Sequence, residues 1–311
     1  MEVIRGIYNL QARHKACAVT IGNFDGVHHG HRLLISHLVA KGQELGVPTM
    51  LITFEPTPRE YFKGEQVPAR LTRFREKVRY LEQTGLDFVL CFPFNESTRS
   101  QTPEWVCEEF LHKALGVRYV VVGDDFRFGS GRGGDYAMLE EAGKRLGFAV
   151  SHLGTLTYEH ERVSSPRVRQ ALAHGDFELA EQLLGREYAI SGRVVYGRQL
   201  GRQLGVPTAN IRLQRYRAAL EGVYAVTVDG LDRTYEGIAN IGVRPTVDGR
   251  ESLLEVHLFE FNEDIYGRLL TVTFKVKLRD EKAFDSIAEL EEQIHRDIDE
   301  AKAWFQQRRG A

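Results

Sequence analysis

Short apolar runs alternate with helix-spaced stretches through the first part of the chain. Ala16 to Ile21, Thr49 to Phe54, Phe88 to Phe92, Tyr119 to Val122 and Ala149 to Leu153 are hydrophobic runs of strand length. Between them, Arg32 to Leu45, Pro103 to Leu115 and Ala137 to Leu146 space their apolar residues by threes and fours. This alternation predicts an α/β domain, a Rossmann-like parallel sheet covered by helices, with ligands at the carboxyl ends of its strands. After Leu183-Leu184-Gly185 the rhythm changes. Tyr188 to Tyr196, Gly222 to Val228, Tyr235 to Ile241, Leu253 to Phe261 and Leu269 to Lys277 are strand-like, with turn pairs such as Asp229-Gly230, Asp248-Gly249 and Tyr266-Gly267 between them. Strands that follow one another without helices predict a small antiparallel β-barrel or sandwich. Phe284, Ile287, Leu290, Ile294, Ile298, Ala301 and Phe305 then form a stripe that predicts a terminal helix packed on it. The expected domains are residues 1–184 and 185–311.

Composition narrows the function classes. A chain of 311 residues with 42% hydrophobic and 27% charged positions has an ordinary globular make-up, and a net charge of -2 gives no bulk attraction to nucleic acid or anionic membrane. Phosphate binding must therefore be local. The expected protein is cytoplasmic, since no apolar signal region opens the chain and no segment approaches the ~20 apolar residues of a membrane span. Cys17, Cys91 and Cys107 are odd in number and widely spaced, which predicts reduced, buried thiols rather than disulfides or a metal site.

The local chemistry begins at Ile21-Gly22-Asn23-Phe24-Asp25-Gly26-Val27-His28-His29-Gly30-His31, where a strand gives way to a helix. A helix start presents unpaired N–H groups and the positive end of the macrodipole to phosphate. His28 and His31, three apart, share a face from which they can donate to a charged oxygen. Gly30 lets a base or ribose approach the backbone. Further along, Gly123 to Asp135 is a glycine-rich loop in which Phe126 and Phe128 offer ring faces and Arg127 and Arg132 offer charge. Val163-Ser164-Ser165-Pro166-Arg167-Val168-Arg169 reads as a helix start with serine caps.

The second part carries Gly197-x-x-x-Gly201-Arg202-x-Leu204-Gly205-x-Pro207-Thr208-Ala209-Asn210. Its glycines allow a close loop around phosphates, and the oxygens of Thr208 and Asn210 suit Mg²⁺. It is not a Walker loop, because no Gly-Lys-Ser/Thr follows the glycines. Glu255 lies in an alternating strand on one face with His257, Phe259 and Phe261, where an unpaired buried carboxylate would be costly.

The first string resembles the signature of the HxGH nucleotidylyltransferases. Its wording is closest to the bacterial bifunctional riboflavin kinase and FMN adenylyltransferase family, the prokaryotic FAD synthetases. The second string resembles the riboflavin kinase motif over nearly its whole length, and Asn240-Ile241-Gly242-Val243-Arg244-Pro245-Thr246 and Gly222-Val223-Tyr224 follow the same family's wording. The resemblance implies ATP-dependent phosphorylation of riboflavin to FMN by the C-terminal domain and adenylation of FMN to FAD by the N-terminal one, with Mg²⁺. It implies ATP contacts at Gly22, Phe24, Asp25, Gly30, Ser164 and Ser165, charge stabilisation by His28, His31 and Arg169, and flavin contacts at Asp125, Phe126 and Phe128. In the kinase it implies phosphate binding by Gly197, Gly201, Arg202, Gly205 and Pro207, metal ligation by Thr208 and Asn210, a catalytic base at Glu255 and a flavin contact at Arg279. Pro166 departs from the family's Ser-Ser-Thr wording and removes one hydroxyl and one N–H. Expected partners are flavins and ATP, with no nucleic acid or membrane, and a monomer or weak self-association. Other HxGH enzymes, such as cytidylyl- and pantetheine-adenylyltransferases, lack the kinase barrel, and a non-catalytic nucleic-acid module is opposed by the absence of a basic patch.

Overall fold

The computed structural model describes residues 1–197, 205–246 and 249–310. Two compact units emerge, one formed by residues 1–67 with 72–165, the other by 68–71 with 166–311.

The first unit is a six-stranded parallel sheet. Its strands are β1 (Glu2–Arg5), β2 (Ala18–Ile21), β3 (Thr49–Glu55), β4 (Phe88–Pro93), β5 (Tyr119–Gly123) and β6 (Ala149–Leu153), in spatial order β1-β4-β3-β2-β5-β6. The central strands are apolar on both sides because both faces are covered. Val19, Met50, Ile52, Leu90 and Val120 face a core that includes Phe110, Leu111 and Leu139. Ala18, Leu51, Val89 and Val121 pack beneath Ile35 and Leu38 of α1 (His29–Leu45). β1 escaped the sequence pattern because it is short and sits at the sheet edge with Ile4 as its buried residue. The helices α2 (Pro58–Lys63), α3 (Phe74–Leu81), α4 (Glu96–Arg99), α5 (Pro103–Trp105) and α6 (Tyr136–Leu146) complete the layers. The helix expected up to Leu115 continues from α5 as a π-wound stretch, Val106–Ala114, which keeps Cys107, Phe110 and Leu111 together in the core. All three cysteines are buried thiols, and burial pushes Cys17 up to about 12. The hairpin β7 (Thr157–Tyr158) and β8 (Glu161–Arg162) closes this unit.

The strand order reverses beside β2. The chain steps from β2 to β3 on one side, and β5 pairs β2 in parallel on the other. Loops leaving the carboxyl ends of β2 and β5 therefore flank a topological switch point, where open α/β sheets bind ligands.

The second unit opens with α7 (Ser165–Ala173), whose first residue closes the preceding unit, and α8 (Phe177–Leu184). A closed antiparallel barrel follows, built from β9 (Ala189–Val195), β10 (Ala209–Arg212), β11 (Gly222–Asp229), β12 (Tyr235–Thr246), β13 (Gly249–Leu258) and β14 (Leu269–Arg279) in the order β10-β13-β12-β11-β14-β9. β10 was hidden in the Pro-Thr-Ala-Asn motif. The terminal helix α9 (Ile287–Arg309) packs Ile298, Ala301 and Phe305 on the barrel against Val206, Ala225, Ile238 and Phe259. Its expected stripe is shorter than the sequence suggests, since Ile287 is 62% exposed. β13 also ends early. Glu260 adopts a φ of 53°, which breaks the alternation that would have put Phe261 on the face of Glu255, and Phe261 packs edge-on to Tyr235 instead.

Phe274 lies at the centre of this unit, 1% exposed, with its ring 5.4 Å from Tyr224, 6.1 Å from Tyr188 and 6.5 Å from Phe177. Phe274→Ala should cost about 3–5 kcal/mol of stability, read as a lowered midpoint in urea unfolding.

Candidate active sites

In the first unit the chain leaves β2 through a turn that L-residues resist. Phe24 and Val27 have φ of 48° and 44°, and Gly26 has 86°. The turn is clamped from the segment that enters α3. Thr72 donates its N–H to Asp25 Oδ1 at 3.0 Å, and its hydroxyl accepts the Gly26 N–H at 2.9 Å. Ser165 Oγ donates to the Asp25 carbonyl at 2.9 Å. Asp25 is thus a hub of the turn.

The turn delivers His28 as the N-cap of α1. Its Nδ1 accepts the His31 N–H at 3.3 Å, which in the neutral ring puts the proton on Nε2. The His31 ring stacks on it, centroids 3.6 Å apart and planes 17° from parallel, with Phe24 5.0 Å from His31 on another side. Burial, the neighbouring His28 ring and the charges of Lys77 and Arg162 hold His31 well below the usual imidazole range. A neutral stacked pair results, at the positive end of a helix 17 residues long. The Cβ that Gly30 lacks would come within 3.2 Å of the His28 ring and 3.3 Å of the Val163 carbonyl, so this glycine clears space for His28. Gly22 likewise clears the Phe24 ring. Buried Asn23 Oδ1 and His31 Nδ1 have no hydrogen-bond partner among the described residues, an arrangement that a polar ligand would complete.

The loop after β5 is held by contacts of its own. Phe128 is buried in the core, its ring stacked 5.5 Å from the partly buried Phe126 and in space that a side chain on Gly134 would fill. Arg127 pairs with Asp135 at 3.1 Å, and Asp135 also caps α6. Asp125 is paired with Arg162 at 3.1 Å. Arg169 lies in the second unit, where its Nε donates to the Ala69 carbonyl. Pro166 is accommodated as the second residue of α7, in the first turn where helices leave N–H groups without intrahelical partners. Sequence reasoning missed Thr53, Thr72 and Lys77. The one available signal was a lysine at position 77 on the stripe formed by Phe74, Val78 and Leu81.

On the barrel, antiparallel pairing lines up Asn210 of β10, Glu255 of β13 and Asn240 of β12 directly across from one another. Directly opposed residues share a face with Cβ atoms about 4.5–5.5 Å apart, so a carboxylate stands between two amides. Buried Asn210 Oδ1 and Asn240 Oδ1 have no partner among the described residues. Gly197 borders this row, for a Cβ there would overlap the Asn210 side chain. Pro207 offers its carbonyl to His257 Nδ1 at 2.8 Å, and Gly205 turns with a φ of 71°. Arg279 ends β14. It makes a bidentate bridge to Asp297, which is 2% exposed on α9, with Nε–Oδ1 at 3.0 Å and Nη2–Oδ2 at 2.8 Å. Gly201 and Arg202 lie outside the described residues. Asn240 was missed as a site residue because only strand register reveals it.

A helix start built for phosphate at a sheet switch point, joined to a barrel with a carboxylate between amide oxygens, defines an enzyme of nucleotidyl and phosphoryl transfer. Residues 10–167 match the FAD synthetase family and residues 184–305 the riboflavin kinase family. The chain is 48% identical to the bifunctional riboflavin kinase/FMN adenylyltransferase of Escherichia coli K12 over 98% of both chains. It is 46% identical to that of Haemophilus influenzae, over 98% of this chain and 99% of the other. A crystal structure described as a macrolide-efflux protein from Streptococcus pneumoniae has the same fold at a TM-score of 0.78 and 28% identity, covering 96% of this chain and 97% of that one. No helix among the described residues is long and apolar enough to cross a membrane. The chain belongs to the bifunctional riboflavin kinase/FMN adenylyltransferase family.

Two expectations follow from these geometries. Unfolded His31 titrates near 6.5 but its native value is depressed, so its contribution to stability is full above about pH 6.5. That contribution is lost as acidification lets the unfolded state take up the proton. The melting temperature of the first unit should fall below that pH, and His31→Gln should flatten the fall. Gly197→Ala displaces Asn210 and should lower riboflavin phosphorylation by about 10²-fold while leaving FMN adenylation intact, measured by separating the flavin products.

Proposed function

We propose that the two activities of this family are divided between the two halves of the chain, with FMN adenylylation over residues 1–184 and riboflavin phosphorylation over 185–311. The observation that carries this reading is the presence of two separately built sites, each with a different kind of chemistry: hydrogen-bond donors at a helix start in one, a carboxylate flanked by neutral oxygens in the other.

In adenylylation an FMN phosphate oxygen attacks the α-phosphorus of ATP and pyrophosphate leaves. Charge moves onto non-bridging and leaving oxygens, and His28 meets it with the Nε2–H that its cap bond assigns to that nitrogen. The His31 ring, stacked and neutral, supplies a second donor, while Gly22, Phe24 and the helix N–H groups shape the phosphate cradle. Phe126 offers a partly buried ring for the flavin, and Phe128 supports it from the core.

In phosphorylation Glu255 takes the proton of the riboflavin 5′-hydroxyl as that oxygen attacks the γ-phosphorus, and ADP leaves. The donor set suits a hard divalent cation. Thr208 and Asn210 present neutral oxygens, Asn210 Oδ1 is buried without a partner among the described residues, and no cluster of three or more His, Cys, Asp or Glu exists among those residues to favour a softer metal. Mg²⁺ held there with the nucleotide would neutralise phosphate charge. Arg279 acts on the flavin side by fixing α9 through Asp297.

Single substitutions should separate the two reactions in one assay with riboflavin, ATP and Mg²⁺. His28→Ala should lower FAD formation by about 10²–10³-fold and let FMN accumulate. Glu255→Gln should suppress FMN formation by about 10²–10⁴-fold yet spare conversion of supplied FMN to FAD. Equal loss of both activities in either variant would overturn the division.

A further inference from the structure

We infer that Lys77 is a positioning residue for adenylyl transfer: its buried ammonium holds the turn from Gly22 to Val27 in the conformation that presents His28 and His31. This rests on the adenylylation reading of the first unit.

Lys77 is 0% exposed, among the largest fully buried side chains of the protein. Burying an ammonium is costly unless its protons are satisfied, and an apolar residue of similar length would pack there at no such cost. Lys77 Nζ donates to the Asn23 carbonyl at 2.6 Å and to Thr53 Oγ1 at 3.2 Å. The first acceptor lies inside the strained turn, one residue before Phe24 with its φ of 48°. Together with the bonds from Thr72 to Asp25 and Gly26, it anchors the turn at three of its positions, all from residues 72–77. Thr72 makes neutral anchors. Lys77 adds a charge.

Lys77 holds the carbonyl of Asn23 and acts electrostatically on His31, the two residues whose buried Oδ1 and Nδ1 have no hydrogen-bond partner among the described residues. The groups that act electrostatically on His31 are His28 from the cap, Lys77 from α3 and Arg162 from β8, with the Phe24 ring packed against it. Arg162 is already paired with Asp125, at 3.1 Å. Lys77, fully buried, contributes a solvent-shielded positive charge that acts on His31. It opposes a proton on His31 and so preserves the neutral stack that protonation would drive apart.

The test uses the full chain and two variants. Lys77→Met removes both the bond and the charge, and Thr53→Val removes one acceptor but keeps the charge. Lys77→Met should lower kcat for FMN adenylylation at least tenfold, with KM for FMN changed less than kcat. It should also move the acid limb of the adenylylation pH profile to higher pH, because His31 becomes easier to protonate. Riboflavin phosphorylation should stay within twofold of wild type and report that the chain is folded. Thr53→Val should slow adenylylation severalfold without moving the acid limb. Wild-type kinetics in Lys77→Met, or a slower reaction with an unmoved acid limb, would overturn the inference. If Lys77→Met fails to fold, an unchanged rate in Thr53→Val overturns it and a severalfold loss supports it. Wild-type enzyme that forms FMN but no FAD would instead overturn the reading on which the inference rests.

Discussion

The hydrogen bond from the His31 N–H to His28 Nδ1 is the constraint around which the site of the first unit is arranged. A helix start leaves its first N–H groups without intrahelical partners, and a serine or aspartate usually serves one of them. Here an imidazole does so. Once Nδ1 accepts, the neutral ring carries its proton on Nε2, and the cap is compatible only with that neutral form. The neighbouring features then follow. Position 30 must be glycine to clear the ring, His31 must stack where its own N–H is tied, and the turn ahead must adopt φ values that non-glycine residues resist. Burial and nearby cations keep the stacked His31 ring neutral.

The barrel solves a different problem with strand pairing. Two amides and a carboxylate from β10, β12 and β13 meet although they are far apart in sequence, because register places opposed residues on one face. Closure of the sheet removes free edges and makes that register rigid. α9 covers an adjacent part of the outer face, and the Arg279–Asp297 bridge fastens it. One unit thus orients its groups by a helix end and the other by a pleated row.

Much of this was legible in the sequence, and the gaps have physical causes. Strands buried on both faces announce themselves as apolar runs, which is why β2 to β6 were visible and the edge strand β1 was not. His28 and His31 were legible because capping is local. Asn240 and Lys77 were not, since one depends on cross-strand register and the other on a partner 54 residues away. Local reading also shows a side chain without its partner. Arg279 finds its carboxylate partner in Asp297, 18 residues further on, and Phe128 finds its neighbours in the core.

The row on the barrel also sets a parity rule. Glu255 faces outward between Asn210 and Asn240, while its neighbours Leu254 and Val256 are fully buried. Inserting or deleting one residue within β13 would turn the carboxylate into the apolar interior and bring a leucine or valine out in its place. Changes in chain length within this strand are therefore confined to pairs of residues, and odd-numbered ones to the turns. The reading frame of the strand is as much a condition for this row as the glutamate itself.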